Sequence, residues 1–396
     1  CKLAANIIQY TLHYQFFLNR HFVNILIVCF FVSESLTKVF FYSDFEFYRF
    51  GVFVKIGFVC LYLSLHYKSK VLKVLFLFYL IHLIGLLFLK NESSLFLNIK
   101  SNLLYFSKYT FIFIIIDLFN NYCNTKSAVN KVIELLFKIL NFNFVLICVG
   151  LIANISYLKT YKHPSRFGFD GLFQMNSHAS YIYIFASIFV FYEAIKHKTY
   201  SRNLIIIILS SMLVGTKAIY LFYALLSIYL FIHFRLWKSF ITLVTLGCSL
   251  LYFFKEYFFI FITEKAPLFM ALNNDFGLFT ALTSTRNILF EETFSKIVNH
   301  NYWGFVNLFF GGSYFNEIRT EFGFIDLYLF WGGIGGVYFL IYYYNNLFKY
   351  FIKKPFLKFS LYSLIVVIAL GGNFFTNAVI SVYVVSFCFY YKLESS

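Results

Sequence analysis

Continuous apolar runs, separated by short polar segments, follow one another along the whole chain. They do not alternate every second residue, so they predict membrane-crossing helices and exclude a closed barrel. Twelve spans are expected: about 22–42, 50–66, 72–89, 103–119, 134–156, 178–195, 203–215, 218–234, 239–254, 323–344, 359–371 and 374–391. The expected fold is therefore all-α. It is a single polytopic integral membrane domain over residues 1–396, with about 12 transmembrane helices and two functional extracytoplasmic loops, about 157–176 and 255–322. The first apolar run is long enough to stay as a helix, so no cleavable signal peptide is expected.

Span seven is unusual. About 13 residues are too few for a straight helix to cross about 30 Å of hydrocarbon, and the run stops at Gly215–Thr216–Lys217. This points to a broken helix lining a cavity, with Lys217 at its outer end. A lysine marking the membrane surface gives the same pattern. Lys38, Lys55 and Lys138 lie within or near span ends and are expected to snorkel.

The polar segments set the orientation. Those on the side holding both termini carry about 17 Lys and Arg, which the positive-inside rule makes cytoplasmic. The outer side carries about 13, most of them in the two long loops. Those loops are the exceptions that ask for a functional reason.

Composition agrees with a membrane solvent. Hydrophobic residues make up 61%, charged residues 13%, and mean hydropathy is +0.75. The net charge of +16 fits cytoplasmic loops plus an anion-handling site, and the lack of a long Lys/Arg run argues against nucleic acid. No cysteine falls in an outer loop, so no disulfide is expected. No zinc-type Cys/His spacing, Walker A or dinucleotide-binding motif is present, so neither metal nor cofactor is expected.

Candidate chemistry gathers around the stretch from Trp303 to Tyr344. There a Gly-rich turn (Gly311, Gly312) leads to Glu317, Arg319, Glu321 and Asp326, on the edge of an apolar helix with Gly332–Gly333 and Gly335–Gly336. Charges where a loop re-enters lipid are costly unless they face protein or water, which makes them functional candidates. The loop at 157–176 adds Arg166, Gly168, Asp170 and Gly171, then Asn176 and His178 at the head of span six. Glycines beside an arginine let backbone and guanidinium reach one ligand together. A snorkelling Arg166 and a helix-start His178 are the bland alternatives. The long loop holds TSTRNILFEETFSKI, an amphipathic segment with Arg286 near its start, expected either on the membrane surface or as a solvated helix face. An arginine cluster at the bilayer surface suits a lipid diphosphate. Glu321 or Asp326, partly desolvated, can supply a base. Glu321 can equally pair with Arg319 or favour a helix start.

These residues resemble the Wzy-type O-antigen and capsule repeat-unit polymerases, relatives of the O-antigen ligases. The likeness covers roughly residues 150–345: an outer-loop Arg–Gly–Asn pattern, a short span ending in a basic residue, a long outer loop with a central Arg, and Glu-x-x-x-x-Asp before a Gly-rich helix. It implies a metal-independent inverting glycosyltransferase of the bacterial inner membrane. Donor and acceptor would be oligosaccharides linked to a polyprenyl (undecaprenyl) pyrophosphate, and a chain-length regulator would be a further partner. It assigns the outer-loop arginines to Arg166 and Arg286 and the loop-end acid to Glu321, with Asp326. Arg319, Lys217, Asn176 and His178 are expected to contact substrate. Thr216–Lys217 stands where the family usually has a small residue and an Arg. His300–Asn301 lies about 20 residues too early for the ligases' His-Asn, which favours polymerase over ligase. A ligase with a lipid A-core acceptor, and a lipid-linked glycan flippase or transporter, are the alternatives. A transporter should show repeated halves and mid-span charges, and neither is evident.

Overall fold

The computed structural model describes residues 2–43, 45, 50–90, 95–161, 166–199, 201–254, 267–299, 302–313, 315 and 318–395. Asp44, Glu46, His163, His300–Asn301 and Glu317 lie outside the described residues. Among the described residues regular structure is helical, and β pairing is limited to an isolated antiparallel bridge between Lys159 and Phe169.

Among the described residues the α-helices before the long loop are α1 (Lys2–Tyr42), α2 (Phe50–Leu65), α3 (Lys70–Leu87), α4 (Leu95–Tyr122), α5 (Lys126–Ala153), α6 (Asn176–His197), α7 (Arg202–Val214), α8 (Lys217–His233) and α9 (Trp237–Phe253). The loop itself contributes α10 (Pro267–Phe276), α11 (Leu278–Thr283), α12 (Arg286–Asn299) and α13 (Phe305–Phe310). Then follow α14 (Gly323–Asn346), α15 (Pro355–Leu370) and α16 (Ala378–Ser395). Stretches within α1, α3, α4, α5, α6 and α14 are long and apolar enough to cross a bilayer, while α2, α7, α8 and α15 are shorter apolar helices. The chain is thus an all-helical, multi-pass membrane protein.

Side-chain pairs define the two ends of the bundle. Lys196 meets Glu394 at 2.6 Å, Tyr390 donates to Glu193 at 2.9 Å and Lys392 donates to Asn120 at 3.0 Å, all at one end. The loop at 157–175, the α7–α8 turn, α10–α12 and residues 371–373 converge at the other. In the middle, α16 packs against α4, α5 and α6. Residues Ala378 to Tyr391 are all buried, as suits a helix apolar on every side.

Residues 166–175 dip into the bundle. Asn143 of α5 donates to the Asp170 carbonyl at 3.0 Å and accepts from Leu172 N at 2.8 Å. Asn143 lies ten residues before the end of α5, so the loop penetrates about 15 Å at 1.5 Å per residue. This explains the short α7, which at 13 residues is about 20 Å long. Its last carbonyls are satisfied by the loop: Phe169 N donates to Leu213 O and Thr160 Oγ1 to Val214 O, both at 2.8 Å.

Two expectations change here. Gly168 and Gly171 do not open the loop to a ligand, because added Cβ atoms would lie 2.4 Å from Val214 O and 2.2 Å from Asn143 Oδ1. They are required for packing. Lys38 does not snorkel: it is buried, paired with Asp170, and donates to the Gly171 carbonyl at 2.7 Å. Burial pushes the Asp170 carboxyl up to about 7, against the opposing pull of the Lys38 ammonium. Lys55 turns inward to Glu34 at 2.5 Å, whereas Lys138 stays exposed beside Glu134.

A second segment docks where α14 is broken. Gly332 has φ +67° and ψ −171°, which interrupts the helix. Gly312 N donates to the Phe330 carbonyl at 3.2 Å, and Ser313 Oγ to Leu329 O at 2.6 Å. A Cβ on Gly332 would sit 2.3 Å from Gly311 N, so this crossing requires glycine. Asn102 of α4 holds the segment from the far side, donating to Ser313 O at 2.7 Å and accepting from Phe315 N at 3.1 Å.

Candidate functional site

A cavity of about 590 Å³ opens at the loop-bearing end of the bundle. Its walls come from the loop at 157–175, the starts of α6 and α8, α10, the start of α12, Glu321 and the α15–α16 turn. Five of the residues singled out in the sequence line it: Arg166, Asn176, Lys217, Arg286 and Glu321.

The cations reach it from three separate segments. Arg166 is laid over the Tyr161 ring, 5.1 Å from the centroid. Burial holds the Tyr161 phenol above its ordinary value, with Arg166 pulling the other way, so the hydroxyl stays neutral. Lys217 donates to the carbonyls of Ala281 and Leu282 at 2.5 and 3.3 Å and to Ser284 Oγ at 2.9 Å. Those bonds tie α8 to the turn before α12 yet contain no counter-charge. Arg286 donates to Leu370 O at 3.1 Å, while its buried Nε makes no hydrogen bond. Lys217 feels the repulsion of both arginines. The described lining carries one carboxylate, Glu321, against these three cations.

Backbone polarity adds to the positive field. The N-termini of α6 at Asn176, α8 at Lys217 and α12 at Arg286 all face this cavity. Neither Met175 nor Thr216 caps its helix with a side chain, so the first amide groups of α6 and α8 are not neutralised that way. Helix N-termini carry partial positive charge and free N–H donors, which favours an anion.

Glu321 stands in the wall with φ +61°, a left-handed conformation uncommon for a side chain of its type. It accepts from Arg319 at 2.8 Å and lies 3.8 Å from Arg286 Nε. Its backbone is wedged against Gly372, where a Cβ would lie 2.5 Å from the Glu321 carbonyl oxygen. The strained turn aims this carboxylate at the cations.

Three of the expected site residues are placed outside the cavity lining. Arg319 does not line the cavity and sits behind Glu321. Asp326 is buried and accepts from Thr320 N at 2.7 Å and Thr320 Oγ1 at 2.9 Å, so it shapes the turn before α14. His178 points away from the cavity lining to Glu34 of α1, Nδ1 to Oε2 at 3.2 Å, and is 3% exposed. This agrees with the alternative of a helix-start histidine, whose partner lies on a helix distant in sequence.

Sequence reasoning missed several lining residues. Tyr161, Ser177, Ser180 and Tyr181 have no charge to draw the eye, and Tyr181 donates to Gly371 O at 3.2 Å. The Gly371–Gly372–Asn373 turn is likewise uncharged, yet Asn373 has φ +69° and lines the cavity. The expected amphipathic segment is α12, with Phe290, Phe294 and Val298 exposed along one side. No protein-family model matches the chain, and neither a curated protein nor a solved structure is found to be similar to it.

Proposed function

We propose that the protein is an O-antigen or capsular polysaccharide polymerase. It is an inverting glycosyltransferase that joins polyprenyl-diphosphate-linked oligosaccharide repeat units. In this reading the chain spans the bacterial cytoplasmic membrane twelve times, with both termini inside and the cavity at the outer face. The observation that carries the proposal is the excess of positive charge in a polar cavity of lipid-headgroup size, with an arginine Nε that makes no hydrogen bond.

The donor diphosphate sits among Arg166, Lys217 and Arg286, where guanidinium groups grip phosphate in two-pronged fashion. Glu321 accepts the proton of an acceptor sugar hydroxyl. The hydroxyl oxygen bonds to the donor's anomeric carbon from the face opposite the leaving group, and the carbon–oxygen bond to the diphosphate breaks. Configuration is inverted, and the electron pair leaves on the lipid diphosphate. The cations and helix N-termini offset that developing charge. Proton, glycan and lipid diphosphate are all accounted for without a metal or cofactor.

The test is reconstitution of purified protein with fluorescent lipid-linked repeat units, read as a ladder on a gel. A ladder growing by whole repeats, with release of polyprenyl diphosphate, is expected. Transfer solely to a lipid A-core acceptor would make it a ligase. Transbilayer movement without a covalent product would make it a transporter.

A further inference from the structure

A groove of about 560 Å³ lies between α1 and α5, toward the end of the bundle away from the cavity. Its α1 wall begins at Asn24, close to Phe22, whose ring lies 5.6 Å from that of Tyr122. Tyr122 is two residues past Asn120, which accepts from Lys392 at that end. The 28 residues of α5 measure about 42 Å, while about 20 residues cross about 30 Å of hydrocarbon. Counted back from Ala153 at the loop-bearing end, the hydrocarbon stops near Glu134. The groove therefore straddles the edge of the bilayer.

Its α5 wall is one helix face in two halves. Lys131, Glu134 and Lys138 form the polar half; Phe142 and Val145 continue the same face into the hydrocarbon as exposed apolar positions, at steps of three and four residues. On α1, Ile25, Val28 and Val32 run alongside, also exposed. Lys138 pairs with Glu134 at 2.8 Å, and Lys131 has no ion pair among the described residues. Two lysines against one glutamate leave one positive charge. Asn24 lines the groove with a buried Oδ1 that makes no hydrogen bond. Turning the amide presents either its oxygen or its nitrogen to the groove. Unsatisfied polar groups are costly beside lipid, so this set favours a polar occupant.

We propose that the groove binds one anionic glycerophospholipid with a hydroxyl-bearing headgroup, of the phosphatidylglycerol class. Its phosphodiester carries a single negative charge, which matches the single positive excess and goes to Lys131. A headgroup hydroxyl meets Asn24, and the acyl chains lie along the two apolar stripes. A zwitterionic lipid would bring its own ammonium against the lysines. A second copy of the chain, docked through the same face, would set like charges against each other. The inference rests on the membrane architecture and not on the polymerase reading.

The experiment counts retained lipid and reads Cys29, which lines the groove and is exposed. Full-length protein, freed of lipid in detergent, is titrated with phosphatidylglycerol and followed by native mass spectrometry. One molecule is expected to bind roughly tenfold tighter than phosphatidylethanolamine with the same chains. Lys131→Gln, a change at an exposed position, should remove that preference, the loss expected for a charge-assisted hydrogen bond, and Lys131→Arg should keep it. Phosphatidylmethanol has the phosphodiester without the headgroup hydroxyls. It should bind about three- to tenfold more weakly than phosphatidylglycerol, and Asn24→Leu should erase that difference. In a background lacking the other six cysteines, phosphatidylglycerol should slow maleimide labelling of Cys29 and phosphatidylethanolamine should not. Equal retention of these two lipids, or phosphatidylglycerol binding untouched by Lys131→Gln, overturns the site. Protection of Cys29 that tracks protein concentration would give the groove to a second copy, and protection by inorganic phosphate alone would make it a site for a free anion; either sinks the proposal. The polymerase reading is tested separately by the gel ladder, and neither result decides the other.

Discussion

Glu321→Gln separates a catalytic carboxylate from a structural one by size of effect. In the fold, Glu321 holds Arg319 at 2.8 Å, with both side chains about one third exposed, 34% and 32%. A pair that accessible is worth about 0.2–1 kcal/mol, and glutamine keeps one oxygen to accept the bond. Stability should therefore fall by less than about 1 kcal/mol. A lost general base costs roughly 100- to 10,000-fold in rate, or about 2.7–5.4 kcal/mol of barrier. Loss of the ion pair alone is too small to imitate that. The assay is single-turnover extension of a labelled acceptor, beside donor binding and thermal melting of the same preparation. Donor binding should be kept while turnover collapses. Glu321→Gly sharpens the contrast. It relieves the left-handed strain, about 1–2 kcal/mol, against an extra backbone entropy of about 0.5–1 kcal/mol. A variant as stable as wild type and yet inactive is expected. Turnover by Glu321→Gln within about threefold of wild type would refute the base role and reduce Glu321 to a tether for Arg319.

Other outcomes follow from the same geometry. Arg166→Ala and Arg286→Ala should each abolish long-chain glycan on a gel ladder while the protein still inserts. Lysine at either position should rescue poorly, because an ammonium cannot make the two-pronged contact; full rescue would leave them as surface anchors. Single cysteines at 157–176 or 255–322, in a background lacking the native seven, should react with an impermeant thiol reagent from outside, while sites near Lys198 and Lys354 stay unlabelled. Labelling of the reverse set would overturn the orientation. Lys38→Met leaves Asp170 buried without its partner, so the acid must stay protonated in the fold. Its folded pKa then lies above that of the paired wild-type acid, so the variant's extra loss of stability grows as pH rises past the range in which the wild-type acid titrates. Adding Asp170→Asn should recover most of it in thermal melts; no recovery would show that the pair does not pin the loop.

The sequence by itself determined the helical membrane architecture, because long uninterrupted apolar runs have few other stable forms in lipid. Every one of the twelve apolar segments is helical, and the 13-residue run ending at Gly215 was legible as a helix that stops short. Arg166, Asn176, Lys217, Arg286 and Glu321 were legible as candidates because charge and amide groups are scarce beside so many apolar residues. Their convergence on one cavity, from segments up to 155 positions apart, was a matter for the tertiary structure. So was the sorting of the other charges. Lys38, His178 and Asp326 look like surface or substrate groups along the chain, yet each has its partner on another segment or in the turn before it: Asp170, Glu34 and Thr320. Whether a polar side chain in a membrane protein faces a ligand or a buried partner depends on what packs against it. Local pattern holds no record of that, because the partners meet only when distant helices and re-entrant loops are brought together.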